Sequence, residues 1–133
     1  MLECLILGDS IAVGIAQHRP ECIAYATVGI NSRKFVDNHI TGNLNAKTVI
    51  ISLGSNDTKN IKTLSELFAL RQVIKADRVY WVLPAKDTQA KEAVSIVADK
   101  FEDKTIGITK LSKDGIHPTG KEYTELAIKT KGI

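Results

Sequence analysis

The chain has 133 residues, which is long enough for one domain with a substantial core but too short for two domains. Hydrophobic residues make up 44% and charged residues 25%, as in an ordinary globular protein, and the net charge of +3 is too small to indicate nucleic acid or a membrane surface as a partner. No apolar run approaches the length of a membrane span, and the N-terminus lacks the pattern of a signal peptide. The default expectation is therefore a cytoplasmic protein with a single domain, residues 1–133.

Five apolar runs rich in β-branched residues predict strands at residues 2–7, 22–28, 48–53, 78–83 and 105–108. A helix is predicted directly after the first run, at residues 11–18, and a shorter helix capped by Asn31 or Ser32 follows the second run. Apolar residues at helical spacing predict three more helices, around positions 61–74, 90–101 and 123–130. Strands that are apolar on both faces and alternate with helices indicate a mostly parallel five-stranded sheet, covered by helices on both sides.

The two cysteines, Cys4 and Cys22, both lie in predicted strands. A buried structural thiol is the expected role for each of them. A disulfide is geometrically feasible if the two strands are neighbours, although a reducing compartment would disfavour it. Neither cysteine has the spacing of a metal ligand, so no metal site is predicted.

The residues directly after each predicted strand are of most interest, because ligands of open parallel sheets bind at the carboxyl ends of the strands. Here the sequence brings glycines together with a serine, a histidine and several acids. The residues are Gly8, Asp9, Ser10, Gly29, Gly54, Ser55, Asn56, Asp57, Lys86, Asp114 and His117. An ordinary set of loops does not need all these residue types, so their convergence favours a reactive site at this edge.

Ser10 lies between the first strand and the first helix, where its hydroxyl can reach a crevice and its N–H is an unpaired donor of the helix terminus. A serine nucleophile needs a base that titrates near neutrality, and that base needs an acid that orients it. His117 fits the first role, and Asp114, with Gly115 between them to permit a tight turn, fits the second. The alternatives are that Ser10 only caps its helix and that residues 114–117 form only a surface loop.

An oxyanion hole needs hydrogen-bond donors that are in place before negative charge develops. The candidates are the side-chain amide of Asn56 and the backbone N–H groups of Ser10 and Gly29. Glycine suits this role because it lets the backbone approach a substrate closely. Gly29 and residues 54–57 are equally compatible with ordinary turns, since these residue types favour turns anyway.

Two further acids at this edge are predicted to act structurally. Asp9 is expected to brace the loop around Ser10 through hydrogen bonds to neighbouring backbone. Asp57 is expected to brace its own loop or to cap a helix that begins near Thr58. Lys86, after the fourth strand, could touch a substrate, although solvation of the loop explains it equally well.

Four blocks of residues, in this order, resemble the signature blocks of the SGNH (GDSL-type) hydrolase superfamily. They are Gly8-Asp9-Ser10, Gly29, Gly54-Ser55-Asn56-Asp57 and Asp114-Gly115-Ile116-His117-Pro118, and together they span most of the chain. The resemblance implies a flavodoxin-like, three-layer α/β/α fold and ester hydrolysis through a covalent acyl-enzyme. It implies no metal and no cofactor.

The resemblance also implies a role for each matching residue. Ser10 would be the nucleophile, His117 the general base and Asp114 the acid that orients the base. The oxyanion donors would be the backbone N–H groups of Ser10 and Gly29 and the side-chain amide of Asn56.

The chain is shorter than most members of that superfamily, so the loops that build its substrate pocket must be minimal. An open, shallow site suits a small acyl group, such as acetyl, on a larger alcohol such as a sugar. The main hypothesis is therefore a serine esterase for short acyl esters. The alternatives are a binding or assembly module with little or no catalysis and an acyltransferase that uses the same residues. The oligomeric state is left open.

Overall fold

The computed structural model describes residues 2–131, which form a single five-stranded sheet with helices packed against it. In chain order the elements are β1 (Leu2–Gly8), α1 (Ser10–Ala16), β2 (Ile23–Ala26), α2 (Ser32–His39), β3 (Ala46–Ser52), α3 (Thr63–Gln72), β4 (Arg78–Val82), α4 (Thr88–Lys100), β5 (Lys104–Ile106) and α5 (Gly120–Lys129). The strand order is β2-β1-β3-β4-β5 and every neighbouring pair is parallel. The predicted parallel sheet is confirmed.

The helices cover both faces of the sheet because the central strands are apolar on both faces. Leu5 and Leu7 of β1 pack in a core with α2, α3 and α4, whereas Ile6 packs on the opposite side with α1 and α5. The alternation follows from the two-residue period of a strand. The predicted three-layer α/β/α architecture, with a flavodoxin-like strand order, is confirmed.

The strand order reverses between β1 and β3, and this reversal opens a crevice at their carboxyl ends. The two strands are closely apposed there, since Gly8 lies opposite Ser52 in the pairing register. Gly8 has a φ of 140°, and a Cβ atom on it would lie 1.9 Å from the Ser52 carbonyl oxygen. Only glycine therefore fits this position, directly before the loop that contains Ser10.

The expectation of two free thiols is wrong, because Cys4 and Cys22 form a disulfide. Since β1 and β2 are parallel neighbours with Leu5 opposite Ile23, the two cysteines face each other one step earlier in the register. Their Cα atoms are 4.8 Å apart, within the range that a disulfide spans. The bridge joins the amino ends of the two strands, at the opposite end of the sheet from Ser10.

Residues 2–131 include no helix with the length and apolar character that a membrane crossing requires.

Candidate active site

The structure brings Ser10, His117 and Asp114 into one chain of hydrogen bonds. The Ser10 Oγ lies 2.8 Å from the His117 Nε2, and the His117 Nδ1 lies 2.6 Å from the Asp114 Oδ2. When the Nδ1 hydrogen is donated to the carboxylate, Nε2 is left to accept the hydroxyl hydrogen of Ser10. The His117 side chain is 39% exposed, so an incoming substrate has access to it. This is the arrangement in which a serine is activated as a nucleophile.

Asp114 is held as a carboxylate by its own loop. Its Oδ1 accepts hydrogen bonds from the backbone N–H groups of His117 and Ile116, at 2.9 and 2.8 Å. These bonds, that of His117 first, and the bond from the His117 side chain hold the pKa of Asp114 far below its usual range. Gly115, with a φ of 71°, permits the tight turn that points both carboxylate oxygens toward His117 and its backbone. Asp114 is therefore negatively charged whenever His117 takes up a proton.

Asp9, and not Ser10, is the N-cap of α1. The Asp9 Oδ1 accepts from the backbone N–H of Ile11 and from the Ser52 hydroxyl, both at 3.0 Å, so Ser10 is the first residue inside the helix. The expected bracing of the nucleophile loop by Asp9 is thus present, and Ser52 is a partner that the sequence did not indicate. Because Ser10 does not cap the helix, its hydroxyl is left to bond His117.

Asp9 is fully buried, and burial raises its pKa to about 6, against the hydrogen bonds from Ile11 and Ser52 that lower it. The pKa of an unfolded aspartate is near 3.8, so the folded protein binds an extra proton between these two values. The free energy of unfolding should therefore decrease by roughly 3 kcal/mol as the pH rises from about 4 to about 6.

Asp9→Asn should remove this part of the pH dependence while an oxygen remains to cap α1. Urea unfolding of both proteins at pH 4, 5, 6 and 7 measures the difference. Asp87→Asn, the same change at the N-cap of α4, is the matched control and should keep the wild-type slope. An Asp9→Asn variant with the wild-type slope would contradict the assignment of this proton to Asp9.

The three predicted oxyanion donors lie on the loops that follow adjacent strands. Ser10 follows β1, Gly29 follows β2 and Asn56 follows β3, and β1 is the strand between the other two. The Asn56 Nδ2 donates to the Ile30 carbonyl oxygen at 3.1 Å, which ties the β3 loop directly to the β2 loop. An asparagine amide has two N–H donors, so one remains for a substrate oxygen. Gly29 is exposed with a φ of 79°, a backbone conformation that favours glycine.

Asp57 braces its loop but does not cap a helix near Thr58. Its Oδ1 accepts from the Ser32 N–H at 2.8 Å, and its Oδ2 accepts from the Thr63 hydroxyl at 2.7 Å. The helix expected near Thr58 begins instead at Thr63, five residues later, as α3. Asp57 thereby fixes the start of α2 and the start of α3 to the loop that contains Asn56.

A small cavity of about 140 Å³ is lined by Ser55, Lys86, Asp87 and Ile116. Ser55 is the neighbour of Asn56, and Ile116 is the neighbour of His117. Lys86, which the sequence singled out as able to touch a substrate, is at this cavity. Among residues 2–131, the group of side chains that could hold a metal ion is Cys4, Glu21 and Cys22, whose two sulfurs form the disulfide.

No family model and no curated protein sequence matches the chain. Solved structures do match it over nearly its whole length. A predicted acylhydrolase from Bacteroides fragilis is 16% identical with a TM-score of 0.63, and the match covers 96% of this chain and 85% of that one. The catalytic domain of peptidoglycan O-acetyltransferase A from Streptococcus pneumoniae, with a methylsulfonyl adduct, is 14% identical with a TM-score of 0.62, over 96% and 91% of the two chains.

A predicted GDSL-like lipase from Parabacteroides merdae is 12% identical with a TM-score of 0.62, over 97% of this chain and 94% of that one. At sequence identities of 12 to 16%, the structural similarity shows a shared fold and nothing further. The resemblance that the four sequence blocks indicated is confirmed at that level: the chain has the fold of the SGNH (GDSL-type) hydrolases.

Proposed function

We propose that the protein is a serine esterase that hydrolyses short acyl esters, of the acetyl type, with an acylated carbohydrate as the favoured substrate class. The observation that supports this most directly is the continuous hydrogen-bond chain from Ser10 through His117 to Asp114. A carboxylate, an imidazole and a hydroxyl in this order serve to generate a nucleophile that attacks a carbonyl.

In the proposed reaction the Ser10 Oγ attacks the ester carbonyl carbon while the His117 Nε2 takes the hydroxyl proton. The negative charge of Asp114 stabilises the resulting imidazolium. As the tetrahedral intermediate collapses, the imidazolium gives its proton to the leaving alcohol, and the acyl group stays on Ser10. Water then attacks the acyl-enzyme with His117 as base, which releases the carboxylic acid and restores the serine.

The oxyanion of both intermediates would accept hydrogen bonds from the backbone of Ser10 and Gly29 and from the side chain of Asn56. Asn56→Ala should therefore lower kcat by roughly a hundred- to a thousandfold, because a donor that is already in place is lost. The assay is hydrolysis of p-nitrophenyl acetate, with thermal unfolding to check that the fold is kept. Asn60→Ala, at an exposed position of the same loop, should retain wild-type activity. Equal activity of the two variants would remove Asn56 from the proposed hole.

The proposed short acyl preference is supported by the small cavity that Ser55 and Ile116, the sequence neighbours of Asn56 and His117, help to line. A cavity of about 140 Å³ accommodates an acetyl group but not an extended fatty chain. It is lined by polar as well as apolar side chains, since Lys86, Asp87 and Ser55 surround it with Ile116. Such a lining is compatible with a substrate that presents hydroxyl groups.

Acyl transfer is the second candidate, because the similar structure from S. pneumoniae is that of an O-acetyltransferase. The same three residues would pass the acyl group from Ser10 to a second alcohol instead of to water. Product analysis with an added sugar acceptor distinguishes the two reactions, since transfer produces a new ester and hydrolysis produces the free acid.

The disulfide is relevant to where this enzyme works. Structural disulfides persist in oxidising compartments and are rare in the reducing cytosol. The Cys4–Cys22 bridge therefore favours an oxidising location over the cytoplasmic default that the sequence suggested.

The experiment that tests the proposal combines turnover with labelling. Wild-type protein is assayed on p-nitrophenyl acetate, butyrate and octanoate, and is separately incubated with a fluorophosphonate probe whose site is mapped by mass spectrometry. We expect the highest kcat/KM on acetate, and labelling at Ser10. Folded protein that neither hydrolyses acetate nor is labelled at Ser10 would favour a binding module, whereas a preference for octanoate would overturn the short-chain assignment.

A further inference from the structure

Glu122 makes hydrogen bonds that its position in the helix does not predict. With Thr119 as the N-cap of α5, the sequence Thr119-Gly120-Lys121-Glu122 has the spacing of a capping box, in which the glutamate carboxylate returns to the N-cap N–H. Only half of that motif forms. The Thr119 Oγ1 accepts from the Glu122 N–H at 3.2 Å, but the Thr119 N–H donates to the Lys110 carbonyl oxygen at 3.1 Å.

The Glu122 carboxylate instead fastens the segment that follows β5. Its Oε2 accepts from the Thr109 N–H, from the Thr109 hydroxyl at 2.8 Å and from the Lys110 N–H at 3.1 Å. Glu122 is only 2% exposed. Burial raises the pKa of Glu122, but the bonds from Thr109 and Lys110 outweigh burial and lower it, so the side chain is ionised. Burying a charged carboxylate costs free energy unless hydrogen bonds satisfy it. The three donors on Oε2 supply strong bonds of this kind, so the contact between Glu122 and residues 109–110 is a firm one.

These bonds hold the entrance of a closed loop, residues 109–119, which we call the histidine loop. Its entrance and exit are joined by the Thr119 N–H to Lys110 bond and by a bridge between Leu111 and Pro118. Farther in, the Ser112 N–H and hydroxyl both donate to the His117 carbonyl oxygen, each at 2.8 Å. Asp114 and His117 both lie inside this loop, so they move together with it. Ser10 lies outside it, on α1.

We propose that Glu122 is a positioning residue, which sets the distance between the His117 Nε2 and the Ser10 Oγ by fixing the entrance of the histidine loop to the first turn of α5. The inference rests on the proposed esterase mechanism. Loss of the Glu122 contacts leaves the Asp114–His117 bond in place, because both residues belong to the loop, but it changes how His117 meets Ser10. The effect therefore falls on the chemical step and not on substrate binding.

Glu122→Ala should lower kcat on p-nitrophenyl acetate by about 10- to 100-fold, the cost of misplacing a reacting group by about 1 Å, with KM within about twofold of wild type. Glu122→Gln keeps the shape and an acceptor oxygen, so it should recover to within about fivefold of wild type, because a neutral acceptor retains about half the strength of the bonds. Thr109→Val, which removes only the hydroxyl donor, should lower kcat by less than Glu122→Ala does.

Thr130→Ala is the matched control for lost stability. Thr130 lies at the other end of α5, where its buried hydroxyl bonds Arg19 and the Leu126 carbonyl oxygen, so the variant weakens the anchoring of the same helix away from the histidine loop. It should lower the Tm without a comparable loss of kcat. Amide hydrogen exchange is the second readout, and Glu122→Ala should lose protection at Thr109 and Lys110 while the α1 amides keep theirs.

The proposal is overturned if Glu122→Ala retains kcat, or if its main effect is a higher KM. It is also overturned if Thr130→Ala loses as much kcat for an equal fall in Tm. If Glu122→Ala does not fold, Thr109→Val decides by the same criteria, and unchanged kcat in that variant overturns the proposal. A wild-type protein without turnover and without labelling at Ser10 overturns the proposed function, and this inference with it. An active wild type with an unaffected Glu122→Ala overturns the inference alone.

Discussion

Ser10→Ala is expected to abolish hydrolysis of p-nitrophenyl acetate, with kcat lower by roughly a million-fold, because no other group takes over the attack on the carbonyl. The fold should be unaffected. Asp9 caps α1, so the helix keeps its N-terminal hydrogen bond when Ser10 loses its hydroxyl, and alanine is a good helix former. The measurements are steady-state kinetics and intact mass after brief exposure to substrate, in which wild type gains an acetyl group and the variant does not.

The control for Ser10→Ala is Ser95→Ala, at an exposed site on α4 where the hydroxyl donates to the Lys91 carbonyl oxygen of its own helix. This variant should match wild type in kcat, KM and labelling. Wild-type turnover in purified Ser10→Ala protein would show that a different group attacks the ester, and the proposed mechanism would have to be abandoned. A Ser10→Ala protein that still binds the acetylated substrate but does not release acetate would agree with the proposal.

The layers of the fold could be predicted because they depend on local pattern. Consecutive apolar residues in β1 place Leu5 and Ile6 on opposite faces, and two apolar faces require a layer of helices on each side of the sheet. The disulfide could not be decided in the same way. It depends on the register between β1 and β2, and a slip of one residue would point Cys4 and Cys22 to opposite faces.

The candidate site could be predicted where its residues are close in sequence or directly follow a strand. Asp114 and His117 belong to one turn, and Ser10 comes directly after β1. The sequence alone does not decide the cap of α1, because aspartate and serine both favour that position. The capping bond from the Ile11 N–H to the Asp9 carboxylate decides it, and the Ser52 hydroxyl holds that carboxylate in place.

Glu122 shows the remaining limit of sequence reasoning. The Thr119-x-x-Glu122 pattern is visible in the sequence, but it indicates a local capping box. The donors that the carboxylate binds, at Thr109 and Lys110, are twelve to thirteen residues away and come into reach only when the histidine loop closes. A local motif and a long-range contact compete for one side chain, and packing decides the outcome.

Asp114→Asn should lower kcat by roughly 10⁴-fold while the loop keeps its shape. The backbone N–H groups of Ile116 and His117 donate to one oxygen of this side chain, so the single oxygen of asparagine must occupy that position. The amide nitrogen is then turned toward the His117 Nδ1. Since that nitrogen only donates, Nδ1 has to accept, and the ring hydrogen moves to Nε2, where it opposes proton transfer from Ser10.

The loss should therefore come from the wrong tautomer and not from unfolding, and the Tm of Asp114→Asn should stay near that of wild type. Asp114→Ala is the informative companion, because it removes the bonds to Ile116 and His117 as well and should loosen the loop in addition to losing activity. Asp99→Asn, which makes the same charge change at an exposed position of α4, should keep wild-type kcat. If Asp114→Asn keeps kcat within about tenfold of wild type, the carboxylate serves the loop alone and His117 works as a base without it.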